Sequence, residues 1–382
     1  MTVHHLIVAD PRSLRCQFFV RELEEFRAQN AAQNAAHDST PSVRVIDWRQ
    51  LCRAESPADL RQEAGAADAP TLLRIESPAR DPEVIRRLLQ RGQRAVGQTV
   101  AEWPELVDGW IAPQPLLFSG LRACLHTLDQ FTRQQSAIIN RYNLEDVLTL
   151  FDKNRTADLL RDHDLPVPDS FAADDRTPDL REQIQAAGWE AAFLKLATGS
   201  CASGIVKLDA AARTGVTTTQ QLQGQFYNSY RVREIEGDSL DEVLTFLLAQ
   251  SVTVQRAVPK ATVGGHNFDV RVVVLHGQVV ATIFRVSRHP MTNLHLGGRR
   301  GDARQCRAQI PQRHWLDAMG HCEQAATLFD VPCVGIDVAF DRYTGRPWIL
   351  EMNAFGDFFP RWVNDRGQTI HRMEIEQTAR LQ

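Results

Sequence analysis

Lysine is scarce in this chain of 382 residues: only Lys153, Lys195, Lys207 and Lys260 occur. The other 39 of the 43 basic residues are arginine, so the positions of the few lysines ask for a reason. No apolar run approaches the roughly 18 residues of a membrane-spanning helix. The stretch Met1 to Asp10 lacks the basic start and long apolar core of a secretory signal. The seven cysteines, at 16, 52, 124, 201, 306, 322 and 333, include no C-x-x-C pair. That inventory argues against a zinc site or a disulfide framework and fits a reduced, cytoplasmic protein. The first strand-like run is not followed by G-x-G-x-x-G, which leaves a dinucleotide-binding reading without support. Charge of one sign is missing as well. With 43 basic and 47 acidic residues the net charge is −4, which excludes a basic nucleic-acid coat and an acidic disordered tail.

Hydrophobic residues make up 43% of the chain, ample for packed cores. At roughly 150 residues per domain the length predicts two to three domains. His5–Ala9, Val43–Asp47 and Thr71–Ile75 read as strands separated by helical or polar sequence, a small parallel α/β domain over residues 1–115. The Ala/Gln/Asn-rich stretch from Ala28 to His37 reads as a helix extension or an insertion without chemistry. Pro113 and Pro115 punctuate the chain, and a helix-rich region containing the first notable lysine follows over 116–190. From Phe193 the pattern turns β-rich. Strands are predicted at Phe193–Leu196, Ser251–Gln255, Asp269–Leu275, Val279–Val286, Val334–Phe340 and Pro347–Met352. These place an α+β region with antiparallel pairing over 191–382.

Four features carry chemistry. Val334–Phe340 and Trp348–Asn353 flank a Gly-containing connection and read as a hairpin. Period-two alternation puts Glu351 and Asn353 on one face with Asp337 opposite. Ile336, Val338, Leu350 and Met352 then turn to the other face. Two carboxylates projecting from apolar strands repel each other unless a hard cation such as Mg²⁺ joins them; a solvated polar face is the plainer alternative. Lys195 lies in an apolar strand and is followed by small residues, Ala197 to Gly204, whose backbone N–H groups can approach a phosphate. The same segment also reads as an ordinary hairpin with a snorkelling lysine. Lys153 opens a helix, where its charge opposes the helix dipole and suits an anion, although exposed surface is the usual place for a lysine. Gln255 to Pro259 suits an extended hinge. Asp269 and Arg271 share a strand face with Arg285 on the next strand, which fits either an anion site or a structural ion pair.

Taken in order, these segments resemble the ATP-grasp superfamily, in its glutathione-synthetase and glutamate-ligase branch, over about Asn140 to Gly356. The resemblance implies an α/β N-terminal domain followed by an α+β ATP-grasp domain whose two subdomains enclose ATP. It implies Lys153 and Lys195 as the nucleotide lysines, with Ser200, Ser203 and Gly204 in the phosphate-covering loop. Gln255 to Val258 would be the adenine hinge and Asp269 a ribose contact. Arg271 and Arg285 would be the catalytic, phosphate-facing arginines. Asn293 with Gly297 and Gly298 resembles the loop beside the acceptor. Asp337, Glu351 and Asn353 match the magnesium (or manganese) set. Departures are the Gln at 255 where many members have Glu, the Cys201–Ala202 pair in the small-residue loop, and the stretch Arg213 to Glu236, which has no counterpart.

The implied activity joins a carboxylate to an amine through an acylphosphate, releasing ADP and phosphate. The substrates would be small molecules or peptides, with no nucleic-acid or membrane partner, and homo-oligomers are common in the family. A small-molecule kinase, a peptide-modifying or macrocyclising ligase and a nucleotide-binding protein without turnover remain as alternatives on the same fold. His266, His289 and His295 are read as packing or surface residues, and Arg299, Arg300 and Arg304 as a solvated loop.

Overall fold

The computed structural model describes residues 3–33, 42–65, 67–78, 81–100, 103, 108–177, 179–199, 203–211, 214–357 and 359–380. Three sheets follow one another along the chain. The first contains β1 (His4–Ala9), β2 (Val43–Asp47), β3 (Thr71–Ile75) and β4 (Ile138–Ile139), all parallel in the order β2-β1-β3-β4. β1 and β3 are apolar almost throughout because helices cover both faces of the sheet. On one side Leu14–Gln33 and Ile370–Arg380 enclose Ile7, Ala9, Phe19 and Ile375. On the other, Trp48–Arg53, Pro82–Ala95 and Gln114–Arg133 enclose Leu6, Val8, Leu73 and Leu125.

The boundary expected at 115 falls inside this layer. Pro115 lies in the first turn of the helix Gln114–Arg133, where a missing N–H is no loss, so the prolines begin a helix of the same unit. That helix and β4 both belong to the first sheet, and the chain returns to it at Ile370–Arg380. Gly92 and Gly120 let two of the helices touch. A Cβ on Gly120 would overlap the Leu88 carbonyl, and one on Gly92 the Leu116 carbonyl. Gly120→Ala is therefore expected to destabilise by about 1–3 kcal/mol. Gly320→Ala, on an open helix face, should be neutral or stabilise by up to about 1 kcal/mol. Urea unfolding of the two variants checks the contrast.

The second sheet is antiparallel: β5 (Ser170–Ala173), β6 (Ala191–Leu196), β7 (Ile205–Asp209), β8 (Thr214–Leu222), β9 (Gln225–Glu236) and β10 (Val252–Arg256), in the order β5-β10-β6-β7-β8-β9. Leu194, Leu196, Val206, Leu208 and Val254 pack beneath the helices Leu180–Ala186 and Gly237–Leu248. Residues 214–236 form the β8–β9 hairpin. Asp108–Ile111 runs along its edge, with Asn228 N–H donating to Gly109 O at 2.7 Å and Ile111 N–H to Phe226 O at 2.9 Å.

The third sheet contains β11 (Thr262–Val263), β12 (His266–Leu275), β13 (Gln278–Ser287), β14 (Arg299–Arg300), β15 (Cys333–Phe340) and β16 (Pro347–Asn353), in the order β14-β13-β12-β15-β16 with β11 on β12. One face buries Phe268, Val270, Val272, Ile336, Val338 and Phe340 with the helix Gln312–Thr327. Its core runs on into that of the first sheet. The other face buries Val273, Leu275, Ala281 and Cys333 with Phe359 and Ile370 at one end, and its charged end looks across a cleft to the second sheet.

Candidate active site

Strand register builds a charged row across the third sheet. Arg285 on β13 lies opposite Asp269 on β12, Arg271 on β12 opposite Asp337 on β15, and Asp337 opposite Glu351 on β16. A bulge follows: Val338 pairs with Ile349, which leaves Leu350 as the extra residue. Leu350 consequently lines the cleft and Ile349 enters the core in its place, against the strict alternation expected from sequence.

The Arg285 guanidinium donates to both Asp269 oxygens, at 2.8 and 2.9 Å, and lies 3.1 Å from Asp337 Oδ2. Arg271 clasps Asp337 with Nε and Nη2. Lys260 Nζ donates to Thr292 Oγ1 at 2.8 Å and to Asp269 Oδ2 at 3.2 Å, and the Thr292 hydroxyl donates to that same Asp269 oxygen. Burial alone would push both carboxyls up. Arg285 and Lys260 hold Asp269 well below the usual carboxylate range, and Arg271 with Arg285 lowers Asp337. Asp269 is 2% exposed and its oxygens are engaged by these three side chains. It anchors the cleft floor.

The opposite wall brings up the lysines. In β6, Phe193 and Lys195 turn to the cleft while Leu194 turns to the core. Lys195 Nζ donates to the Gln255 Oε1 amide oxygen at 2.8 Å. Lys153 opens the helix Lys153–Asp162, whose N-terminus Asp152 caps by accepting from the N–H groups of Asn154 and Arg155. Lys153 N–H donates to Ala197 O at 2.9 Å. Its Nζ donates to Gly199 O and lies 3.9 Å from Glu351. Lys153 thus spans the gap between the small-residue loop and the third sheet. The walls enclose a cavity of about 420 Å³, within the range of small-ligand sites.

Burial, with Lys153 and Lys260 nearby, lowers the Lys195 ammonium to about 8 against the partial support of Glu351. An unfolded lysine keeps its proton to about 10.4. Between those values the unfolded chain binds the extra proton, so this group makes stability rise with pH across the window. Anion affinity runs the other way. Affinity for inorganic pyrophosphate is expected to fall as pH rises through about 8, and to lose that pH dependence in Lys195→Met. Titrations at pH steps across the window check this.

Of the residues singled out in the sequence, Lys153, Lys195, Ser203, Gln255, Val258, Asn293, Asp269, Arg271, Arg285, Asp337, Glu351 and Asn353 all line this cavity. Gly204, Gly297 and Gly298 do not. Gly204 takes a positive φ of 61° where a Cβ would collide with Leu196. Gly297 closes a short 3-10 turn at φ 83°. Gly298 lies against the carbonyls of Thr292 and Asn293. These glycines shape loops and do not face the cavity. Ser200 lies outside the described residues. His295 is exposed and lines the cavity, whereas His266 and His289 do not line it.

Sequence reasoning missed Lys260, Thr292, Asp357, Arg15 and Ser77, all of which line the cavity. Lysine scarcity was a signal for Lys260, since three of the four lysines stand on this cleft. Arg15 and Ser77 lie just beyond the carboxyl ends of β1 and β3, the edge where open parallel sheets hold ligands.

A family model described as YheC/D-like ATP-grasp matches residues 151–358, the span that carries Lys153, Lys195, Gln255–Val258 and the charged row. The chain belongs to this ATP-grasp family. No curated protein matches the sequence. Among solved structures, the D-cycloserine synthetase DcsG is similar at TM-score 0.53 and 13% identity, with 100% of each chain covered. The ATP-grasp ligase PsnB in complex with a minimal precursor gives 0.53 and 17%, again over 100% of each chain. The Chryseobacterium gregarium RiPP-associated ATP-grasp ligase gives 0.53 and 11%, over 99% of this chain and 97% of that one. At these identities the likeness is one of fold, and it extends the ATP-grasp architecture over the first sheet too. None of the described helices is long and apolar enough to cross a membrane.

Proposed function

We propose that this ATP-grasp protein is a ligase that joins a carboxylate to an amine at the expense of ATP. The observation that carries the reading is the cleft itself. Two lysines on one wall face two paired carboxylates, an amide and two arginines on the other, all around one cavity. Lys153 and Lys195 would neutralise the α- and β-phosphates, with the adenine toward Gln255–Val258.

Asp337, Glu351 and Asn353 would hold Mg²⁺ (or Mn²⁺). Their donor atoms suit a hard cation that takes its remaining ligands from phosphate and water. Among the described residues no three of His, Cys, Asp or Glu gather into one cluster, so this set would be two carboxylates and an amide. Asn353 donates its amide nitrogen to Gly335 O at 3.3 Å, which leaves the amide oxygen for coordination. When bound, the cation would offset charge on the β- and γ-phosphates. A substrate carboxylate oxygen then attacks the γ-phosphorus and ADP leaves. The amine nitrogen attacks the acyl carbon, phosphate leaves, and the nitrogen gives up a proton. Arg271 and Arg285 would stabilise the charge on the transferring group. Every residue in this scheme acts by position and charge, and none forms a covalent intermediate.

A second reading puts the carboxylate on a peptide. It is supported by fold likeness to PsnB and to the Chryseobacterium ligase, whose structures hold precursor or leader and core peptides. The test is ATP turnover with hydroxylamine present, over a panel of free acids and acidic peptides. Hydroxamate accompanying ADP supports the ligase and shows which acid serves. Phosphorylated product without hydroxamate would replace it with a kinase.

A further inference from the structure

Two of the buried cysteines lie side by side, far from the cleft chemistry. Cys52 is next to last in the helix Trp48–Arg53, and Cys124 stands in the helix Gln114–Arg133. They are 4% and 0% exposed. Their Sγ atoms are 3.7 Å apart although the residues are 72 positions apart in the chain, so the packing of these helices over the first sheet brings them together. Arg91, half-buried on the helix Pro82–Ala95, ties both flanks of the pair. Its Nη1 donates to Ala54 O, and its Nη2 to Ala123 O at 3.1 Å and to Thr127 Oγ1 at 2.9 Å.

The thiolate, not the thiol, attacks an oxidant, and a nearby cation favours it. The Cys52 thiol and the Arg91 guanidinium hold the Cys124 thiol below its ordinary value. The contact with Cys124, together with burial, pushes Cys52 up. Burial also pushes up the solitary thiols, Cys16 and Cys333 to about 11, and Cys306 and Cys322 likewise. The pair is thereby divided into a nucleophile and a neighbour that keeps its proton.

We propose that Cys52 and Cys124 form a reversible disulfide when the protein meets hydrogen peroxide, locking two helices of the first sheet's cover together. The proposal is independent of the ligase reading. The Cys124 thiolate attacks one peroxide oxygen, the O–O bond breaks, and the hydroxide released takes up a proton and leaves as water. The sulfenic acid formed on Cys124 lies against Cys52, the arrangement in which sulfenic acids condense with thiols. The Cys52 sulfur loses its proton and attacks the Cys124 sulfur, the S–O bond breaks, and a second water leaves. Two thiols and one peroxide give one disulfide and two waters. The sulfurs close from 3.7 Å to the bonded length of roughly 2.05 Å. Because both are buried, a small peroxide reaches them where a bulky disulfide such as oxidised glutathione does not.

The experiment treats the folded, full-length protein with hydrogen peroxide and, in parallel, with oxidised glutathione. Remaining thiols are alkylated after unfolding, and tryptic peptides are mapped without reduction. Peroxide is expected to join Gln50–Arg53 to Ala123–Arg133, and dithiothreitol to separate them. Oxidised glutathione should leave both cysteines as alkylated thiols. The thermal midpoint of peroxide-treated protein should rise by several degrees, because the bond closes a long loop in the unfolded chain. Cys124→Ala should show no such rise, and the wild-type map decides the matter even if that variant does not fold. Recovery of both cysteines as alkylated thiols after peroxide overturns the proposal. So does a bond from either one to glutathione or to a different cysteine, or an equal midpoint rise in Cys124→Ala.

Discussion

Glu351→Gln is expected to lower ADP-forming turnover by about 10²–10³-fold, the usual cost of removing one preorganised electrostatic group from a reacting centre. Mn²⁺ affinity measured in the presence of ADP should fall by at least about tenfold, since even outer-shell partners of a metal cost 10–100-fold. Glu351 is the cleanest position for this test. Asp337 is clasped by Arg271 and Arg285, so neutralising it would also release two buried guanidinium groups. Glu351 has a side chain 27% exposed and, among the described residues, an ion pair with Lys153 alone at 3.9 Å, so the variant should fold with an unchanged midpoint. Retention of wild-type Mn²⁺ affinity would remove Glu351 from the metal set.

Asp269→Ala is expected to destabilise the fold by about 3–5 kcal/mol, because removing one partner of a buried pair strands the other. Here two cations are stranded, Lys260 and Arg285, although Arg285 keeps Asp337 at 3.1 Å. Adding Lys260→Met should recover part of the loss, since the two residues share one network. The same network sets an acid limb. Asp269 has its folded pKa held down by Arg285 and Lys260. Its contribution is complete above the unfolded value of about 3.9 and is lost as pH falls toward the folded one. Asp269→Asn should flatten that limb. Urea unfolding across the acid range reads both effects, and a loss under about 1 kcal/mol in Asp269→Ala would show that the cluster does not support the sheet.

Much of the fold was legible because the local signals agree. Val43–Asp47 and Thr71–Ile75 are strands over the residues that their apolar runs predict, and Lys153 starts its helix behind the Asp152 cap. What escaped the sequence depends on long-range geometry. The bulge at Leu350 reverses the alternation of β16, and no local feature of Trp348–Met352 announces it. β4 is two residues long and becomes a strand only because β3 offers it an edge. The helix Ile370–Arg380 returns to β1 and to Leu14–Gln33 across the whole chain.

The site follows the same rule. Residues placed by strand period, such as Asp337, Glu351, Arg271 and Lys195, come together in the cleft. Asp269 has the right period too, yet Lys260 and Thr292 converge on it from other segments and bury it. Arg15, Ser77 and Asp357 reach the cavity through the packing of the first sheet against the third, which no spacing in the sequence encodes.

The most direct test of the nucleotide cleft is calorimetric titration of the wild-type protein with ADP, with and without Mg²⁺. One saturable site that tightens when Mg²⁺ is present is the predicted result. No measurable binding, or an affinity indifferent to Mg²⁺, would contradict the assignment of Lys153, Lys195, Asp337, Glu351 and Asn353 to a metal–nucleotide site.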